Sequence, residues 1–254
     1  MADHVTVRVP ATTANMGPGF DCLAMALDIW NSVSVELEAD GFDLTGEGAD
    51  TLPKGTSNMV YRGFQAAWEH TGSPVPQARF SCHNRIPLAR GLGSSSSAVV
   101  AGLVAGNSLN GNAMSGSDLL DAAAGLEGHP DNVAAALVGG CQIVVSEERG
   151  LRTSEVPLPS ELRAVVYIPE TPMPTSQARG LLESRVDRAD AVFNIGRVAL
   201  LVKALATGEL GAMAGATEDR LHQPARQTLF PAMKVIIRAA MDAGALGAFL
   251  SGAG

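Results

Sequence analysis

The stretch that decides the fold is Pro87-Leu88-Ala89-Arg90-Gly91-Leu92-Gly93-Ser94-Ser95-Ser96-Ser97-Ala98-Val99-Val100-Ala101. Its alternating glycines let backbone approach a ligand, and its four consecutive serines supply hydroxyls. Small residues continue to about Leu109. The loop therefore runs into a helix whose first N–H groups lack intrahelical partners and carry the positive end of its dipole. A polyphosphate suits such a mouth. Neither Gly-Lys-Ser/Thr nor G-x-G-x-x-G is present, so this is neither a Walker A loop nor a dinucleotide fingerprint. A plain serine-capped helix after a glycine turn is the other reading of the same residues. Four serines exceed what one cap needs, and the Ala/Gly-rich helix behind them permits close packing.

Towards the N-terminus, Val5, Val7 and Val9 alternate with Thr6 and Arg8, predicting a half-buried strand that Pro10 ends. Residues 11–21 then read as a loop punctuated by Asn15, Gly17, Pro18 and Gly19. Val33, Val35 and Leu37 give a second strand before the polar stretch 38–57, and Tyr61, Phe64 and Trp68 mark a helix over 58–70. Residues 79–87 form a strand leading into the loop. On its far side, Ser115 and Asp118 offer a capping box for a helix over 116–127, with Leu119, Leu120, Ala123 and Leu126 facing inward. A short Ala-rich helix ends at Gly139-Gly140, and 142–146 is a strand. The charged stretch 147–162, holding Pro157 and Pro159, marks a boundary between domains 1–155 and 156–254. Beyond it we expect a strand at 163–168, helices near 175–183, 189–207, 209–221 and 231–243, and an apolar strand at 245–250. Strands followed by helix-rich segments, without strict βαβ alternation, predict an α+β fold.

The 254 residues are 46% hydrophobic and 17% charged, enough for a packed core. Eighteen Lys and Arg against 26 Asp and Glu leave a net charge of −8, without the basic footprint of a nucleic-acid binder. A local basic pocket for a small anion is still allowed. Cys22, Cys82 and Cys141 are odd in number and show no C-x-x-C spacing, which argues against a disulfide framework or a cysteine-rich zinc site. Met1-Ala2-Asp3-His4 lacks the basic and apolar regions of a signal peptide, and no run of 18 apolar residues predicts a membrane span. The sequence reads as cytoplasmic.

Three segments together resemble the GHMP small-molecule kinases, and within them the branch that acts on homoserine. They are Pro10-Ala-Thr-Thr-Ala-Asn-Met-Gly-Pro-Gly-Phe-Asp-Cys22, the loop 87–98, and Glu127-Gly-His-Pro-Asp-Asn-Val133. Ser251-Gly-Ala-Gly254 resembles the start of the family's third, glycine-rich motif. The resemblance implies a two-domain fold: an N-terminal ribosomal-protein-type α/β domain with a left-handed crossover, and a C-terminal ferredoxin-like domain. It also implies that the third motif continues past Gly254, leaving the second domain incomplete. The implied reaction is ATP-dependent phosphorylation of L-homoserine in threonine biosynthesis, with small-molecule partners only and a homodimeric assembly. ATP contacts would run along 87–97, with phosphates cradled by 91–96 and a further contact at Asn58. Ser95 and Glu127 would hold Mg²⁺. Asn15, Asp21, His129, Thr175, Arg179 and Arg226 would bind homoserine, and Asn132, Glu127, Ser95 and Arg179 would act in catalysis.

The charges agree with that assignment. Homoserine is a zwitterion, so its site needs a carboxylate for the ammonium and guanidinium for the carboxylate, as Asp21, Arg179 and Arg226 could supply. Read alone, a loop Asp is more often a turn former, a helix Arg is usually solvated, and His129 before Pro130 suits a structural role. Glu127, at a helix C-terminus, is either a solvated surface group or a ligand for a hard cation. Mevalonate kinase has an aspartate where this sequence has Asn132, which cannot accept a proton at neutral pH. That predicts direct in-line transfer without a dedicated base. Two alternatives stand beside this reading: a GHMP kinase acting on a mevalonate-like or sugar alcohol, and a nucleotide-binding module without turnover.

Overall fold

The computed structural model describes residues 3–254. Among these residues six strands form one sheet: β1 (His4–Asn15), β2 (Gly19–Leu37), β3 (Gly41–Gly46), β4 (Ala78–Asn84), β5 (Cys141–Glu147) and β6 (Gly150–Val156). The helices are α1 (Met59–His70), α2 (Ser94–Leu109), α3 (Gly116–Glu127), α4 (Asp131–Val138), α5 (Thr175–Gly180), α6 (Arg188–Thr207), α7 (Met213–Ala216), α8 (Gln223–Arg226) and α9 (Met233–Asp242). The architecture is α+β, as the sequence predicts. The sheet runs β3-β4-β2-β5-β6, with β1 also paired to β2. Among the described residues only β3 and β4 run parallel, joined through α1.

Pro10 does not end the first strand. It lies inside β1 opposite Trp30, beside a register shift between Pro10 and Ala11, and an irregularity of that kind accommodates a residue without an N–H. The predicted loop over 11–21 is therefore mostly hairpin, reduced to a turn at 16–18. Residues 150–156, read as boundary, pair with β5 as β6. The expected strands at 163–168 and 245–250 do not form. No ladder joins them to a strand among the described residues, Val165 is 95% exposed, and an extended segment without a ladder partner is not a strand. The helix expected at 209–221 breaks after α7. Thr217 bonds back to the Met213 carbonyl, and the Asp219 carboxylate accepts the N–H groups of Leu221, His222 and Gln223.

The capping box holds as read. Ser115 and Asp118 satisfy each other's backbone N–H groups at the start of α3, whose Leu120 and Ala123 are buried. The main core lies between the sheet and helices α1 to α4, where the Phe64 and Phe80 rings meet edge-on. At its centre α2 is buried nearly all round, and glycines let it approach α1 closely. A Cβ added at Gly102 would lie 1.9 Å from the Val60 carbonyl oxygen. This tight seat fixes where the amino end of α2 emerges.

Gly102→Ala should therefore cost at least about 1–3 kcal/mol through forced separation of two backbones. Gly125→Ala, in α3 with no atom near its Cβ, should stabilise by up to about 1 kcal/mol. Urea midpoints report both, and equal midpoints for the two variants would contradict this packing.

Candidate active site

The loop 87–97 passes between the end of β1 and the segment 251–254. Gly91 and Gly93 both adopt positive φ, near +62° and +65°. Neither position admits a side chain. A Cβ at Gly91 would lie 2.0 Å from the Ser251 carbonyl oxygen, and one at Gly93 would lie 1.9 Å from Thr12 Oγ1. Thr12 N–H donates to the Leu92 carbonyl at 3.1 Å, and Ser251 Oγ donates to the Gly91 carbonyl at 2.6 Å. Arg90 turns away to donate to the carbonyls of Pro169 and Glu170, which ties the loop to the C-terminal half. The N-cap of α2 is Gly93, so no side chain caps the helix. The first in-helix bond runs from Ser97 N–H to the Gly93 carbonyl. The N–H groups ahead of it open onto a cleft that Ser94, Ser95 and Ser96 help to line.

Across that cleft stand two opposite charges from distant parts of the chain. Asp21 holds a left-handed backbone conformation, φ +56°, at the start of β2. Its carboxylate accepts both terminal nitrogens of Arg179 on α5, at 3.0 and 2.6 Å. Asn15, also at positive φ, accepts the Asp21 N–H with its side-chain oxygen and donates to the Gly252 carbonyl at 2.8 Å. Arg226 on α8 is 1% exposed and donates to the same carbonyl at 2.7 Å. Nε of Arg179 and Nε of Arg226 are both buried without an acceptor. Burial and the neighbouring Arg179 charge pull the Arg226 pKa down, whereas the bond to Asp21 raises that of Arg179.

Behind Arg226 lies His222, fully buried. Its Nε2 is 2.7 Å from the Gly17 carbonyl, and its Nδ1 is 3.0 Å from an Arg226 nitrogen. Only the tautomer protonated at Nε2 satisfies both contacts, donating to Gly17 and accepting from Arg226. Burial lowers the His222 pKa, in keeping with a neutral ring. The ring stacks on Phe20, whose face also receives Arg179 and Arg226 at 5.8 and 5.5 Å from its centroid.

The third side carries carboxylates. Glu127 is no solvated surface residue: its side chain is 10% exposed, and Oε2 is buried without a partner. His129 stands between Glu127, 3.9 Å from Nε2, and Asp131, 3.0 Å from Nδ1. Burial depresses the His129 pKa, but the Asp131 bond and the two carboxylate charges outweigh it and leave a net rise. Asp131 Oδ1 also accepts the backbone and side-chain N–H groups of Asn132. The side-chain oxygen of Asn132 accepts the Thr12 hydroxyl at 2.6 Å.

One cleft thus brings together most of the residues singled out from the sequence: Asn15, Asp21, Pro87, Ala89 to Ser96, Glu127, His129, Asn132, Thr175, Arg179 and Arg226. Three of them do not line it. Asn58 is the N-cap of α1, accepting Val60 N–H and donating to the Pro53 carbonyl, so both ends of its amide are engaged in the fold. Ser97 is fully buried and directs its hydroxyl to the Val9 carbonyl at 3.4 Å. Leu88 packs against the Gly48 turn. Sequence reasoning missed Thr12, Phe20, Asp219 and His222. For Phe20 and Thr12 the first motif was a signal, whereas nothing around position 222 signalled a histidine bonded to Gly17.

A bound Mg²⁺ fits the residues present: Glu127, with an orphaned, buried carboxylate oxygen, lines the same cleft as Ser95. Among the described residues, no helix is long and apolar enough to cross a membrane. The three cysteines are free, and burial pushes the thiols of Cys82 and Cys141 up to about 12.

The chain is 44% identical to a homoserine kinase of Moorella thermoacetica over 249 residues, covering 98% of this chain and 84% of that protein. It is 42% identical to one of Microchaete diplosiphon, covering 100% and 84%. The crystal structure of homoserine kinase from Cytophaga hutchinsonii superposes with a TM-score of 0.87 at 32% identity, covering 100% of this chain and 84% of that one. Mevalonate kinase of L. major, at 14% identity and a TM-score of 0.68, shares the fold. Family models for the GHMP kinases N terminal domain and the GHMP kinases C terminal match residues 58–140 and 201–254. These matches and the cleft agree, and the chain belongs to the GHMP kinases.

Proposed function

We propose that this chain transfers the γ-phosphoryl group of ATP to the side-chain hydroxyl of L-homoserine, giving ADP and O-phospho-L-homoserine. The observation that carries this reading is the meeting, in one cleft, of an uncapped helix amino end with an aspartate and an arginine. The first suits a triphosphate. The second pair suits a zwitterion, whose ammonium would face Asp21 and whose carboxylate would face Arg179. The unpaired Nε donors of Arg179 and Arg226 are an unmet demand for negative charge at the same place. Mevalonate has no ammonium to offer Asp21.

In this reading the backbone of 91–96 cradles the phosphates, and Ser95 and Glu127 hold Mg²⁺. Mg²⁺, when bound, supplies charge neutralisation on the phosphate oxygens. Asn15, His129 and Thr175 complete the amino-acid pocket. Arg226 supports it from behind, since one of its donors is committed to the Gly252 carbonyl. The substrate hydroxyl oxygen attacks the γ-phosphorus, the bond to the bridging oxygen of ADP breaks, and the hydroxyl proton leaves late to a phosphate oxygen. No side chain is needed as a base, because a loose transition state responds chiefly to positioning and charge. Asn132 orients the hydroxyl, and Oδ1 of Asp131 is already occupied by three donors. Residues 1–155 serve as the nucleotide half and 156–254 contribute Arg179, Arg226 and the segment 251–254.

With ATP and Mg²⁺, the purified protein should release ADP in response to homoserine, and mevalonate should give none. Asp21→Asn should raise KM for homoserine by roughly 10–100-fold, the value of a charged hydrogen bond, and leave KM for ATP within about twofold. Equal turnover of mevalonate, or an unchanged homoserine KM in the variant, would overturn the assignment.

Because the folded His129 pKa lies above its free value of 6.5, its ion pairs stabilise fully below that value. The stabilisation is lost as pH rises through the folded pKa. Histidine NMR should show this shift, and Asp131→Asn should bring the value down. A pKa unaffected by that substitution would remove Asp131 as its cause.

A further inference from the structure

The orienting role given to Asn132 depends on which end of its amide meets the substrate, and the surroundings of that amide settle the question. Asp131 Oδ1 lies 3.2 Å from the Asn132 amide nitrogen. A carboxylate oxygen accepts only, so the NH₂ must face it, because the alternative flip would set a carbonyl against a carboxylate. The carbonyl end therefore points to Thr12, whose hydroxyl donates to it at 2.6 Å. Thr12 is fully buried and does not line the cleft, so its hydroxyl has no access to substrate or solvent. Its backbone N–H holds Leu92 of the phosphate loop, and its Oγ1 fills the space that a side chain at Gly93 would need. One residue of β1 thus touches both the N-cap of α2 and the side chain expected to hold the attacking hydroxyl.

We propose that Thr12 is a positioning residue that locks the Asn132 amide, so that the cleft meets its N–H and not its carbonyl, and that ties this amide to the phosphate loop through Gly93. This inference rests on the phosphotransferase reading above and deepens it. One amide hydrogen of Asn132 is spent on Asp131 and the other is free for the substrate hydroxyl oxygen. The hydroxyl then receives a hydrogen bond and cannot give its proton to Asn132. Its own hydrogen must point elsewhere, and the phosphate being attacked is the acceptor at hand. Without the Thr12 hydroxyl, the Asn132 carbonyl loses its partner and the amide is free to rotate away from the productive orientation.

The test is a set of kinetic constants for wild type, Thr12→Val, Thr12→Ser and Asn132→Ala, with Thr12→Val/Asn132→Ala closing a double-mutant cycle. Valine keeps the shape of threonine and removes the hydroxyl, while serine keeps the hydroxyl. Thr12→Val should lower kcat about tenfold, the loss expected from one buried hydrogen bond acting through position. KM for ATP and for homoserine should stay within about twofold, and Thr12→Ser should recover at least half of wild-type kcat. In the cycle, adding Thr12→Val to Asn132→Ala should change kcat by less than twofold. Wild-type kcat in Thr12→Val, no recovery in Thr12→Ser, or additive losses in the cycle would each overturn the proposal. If Thr12→Val does not fold, the same cycle with Thr12→Ala decides by the same criterion. Homoserine-dependent ADP release by the wild type is the control that separates the two levels. Its absence overturns the proposed function and this inference with it, whereas its presence beside an unimpaired Thr12→Val overturns the inference alone.

Discussion

A buried helix that begins without a cap leaves amide hydrogens exposed to whatever fills the space before it, and in this protein that space is the cleft. The body of α2 is fixed by its contact with α1, where glycine stands in for any side chain. Its mouth is fixed by β1 on one side and by residues 251–254 on the other. A serine or aspartate at position 93 would cap the helix and close the site, but no side chain fits there beside Thr12. The open amino end is thus enforced by packing, and its free N–H groups suit the polyanion of the proposed reading.

In the proposed reading, a zwitterion on the charged side of the cleft replaces an ion pair that is already there. Asp21 and Arg179 pair with each other at about one-third exposure, where such pairs contribute only about 0–1 kcal/mol. Opening that pair around an amino acid exchanges one ion pair for two at small cost. The surrounding parts do not yield in the same way. Arg226, His222 and the Gly17 carbonyl form a buried chain of hydrogen bonds, stacked against the half-buried Phe20 ring, that backs the site. Backbone strain gathers in the same region, with Asn15, Met16, Asp21 and Ala89 all at positive φ. Asn15 shows what holds it: its side chain ties the Asp21 turn to Gly252.

Much of this was legible from residue patterns, and the misses have physical causes. The glycine and serine loop and the capping box at Ser115 follow from local chemistry and lie where the pattern put them, whereas Asp21, Arg179 and Arg226 stand out only through the family resemblance, and the structure brings them to one cleft. Pro10 was misread because proline breaks most strands, whereas a register shift beside it lets β1 continue. Residues 163–168 and 245–250 have strand composition but no ladder partner, and composition cannot report a partner. Asn58 fitted a binding motif and serves as a helix cap, two uses of one short amide. Thr12, His222 and Phe20 act through contacts with residues more than 100 positions away, which no local pattern contains.

The most direct test of the account is a crystal structure with a non-hydrolysable ATP analogue, Mg²⁺ and homoserine. It should show the triphosphate on the N–H groups of Ser94 to Ser96 and the metal between Ser95 and Glu127. The Asp21–Arg179 pair should be opened, with the homoserine ammonium on one partner and its carboxylate on the other. A triphosphate bound away from the start of α2, or homoserine seated elsewhere while that ion pair stays closed, would contradict it.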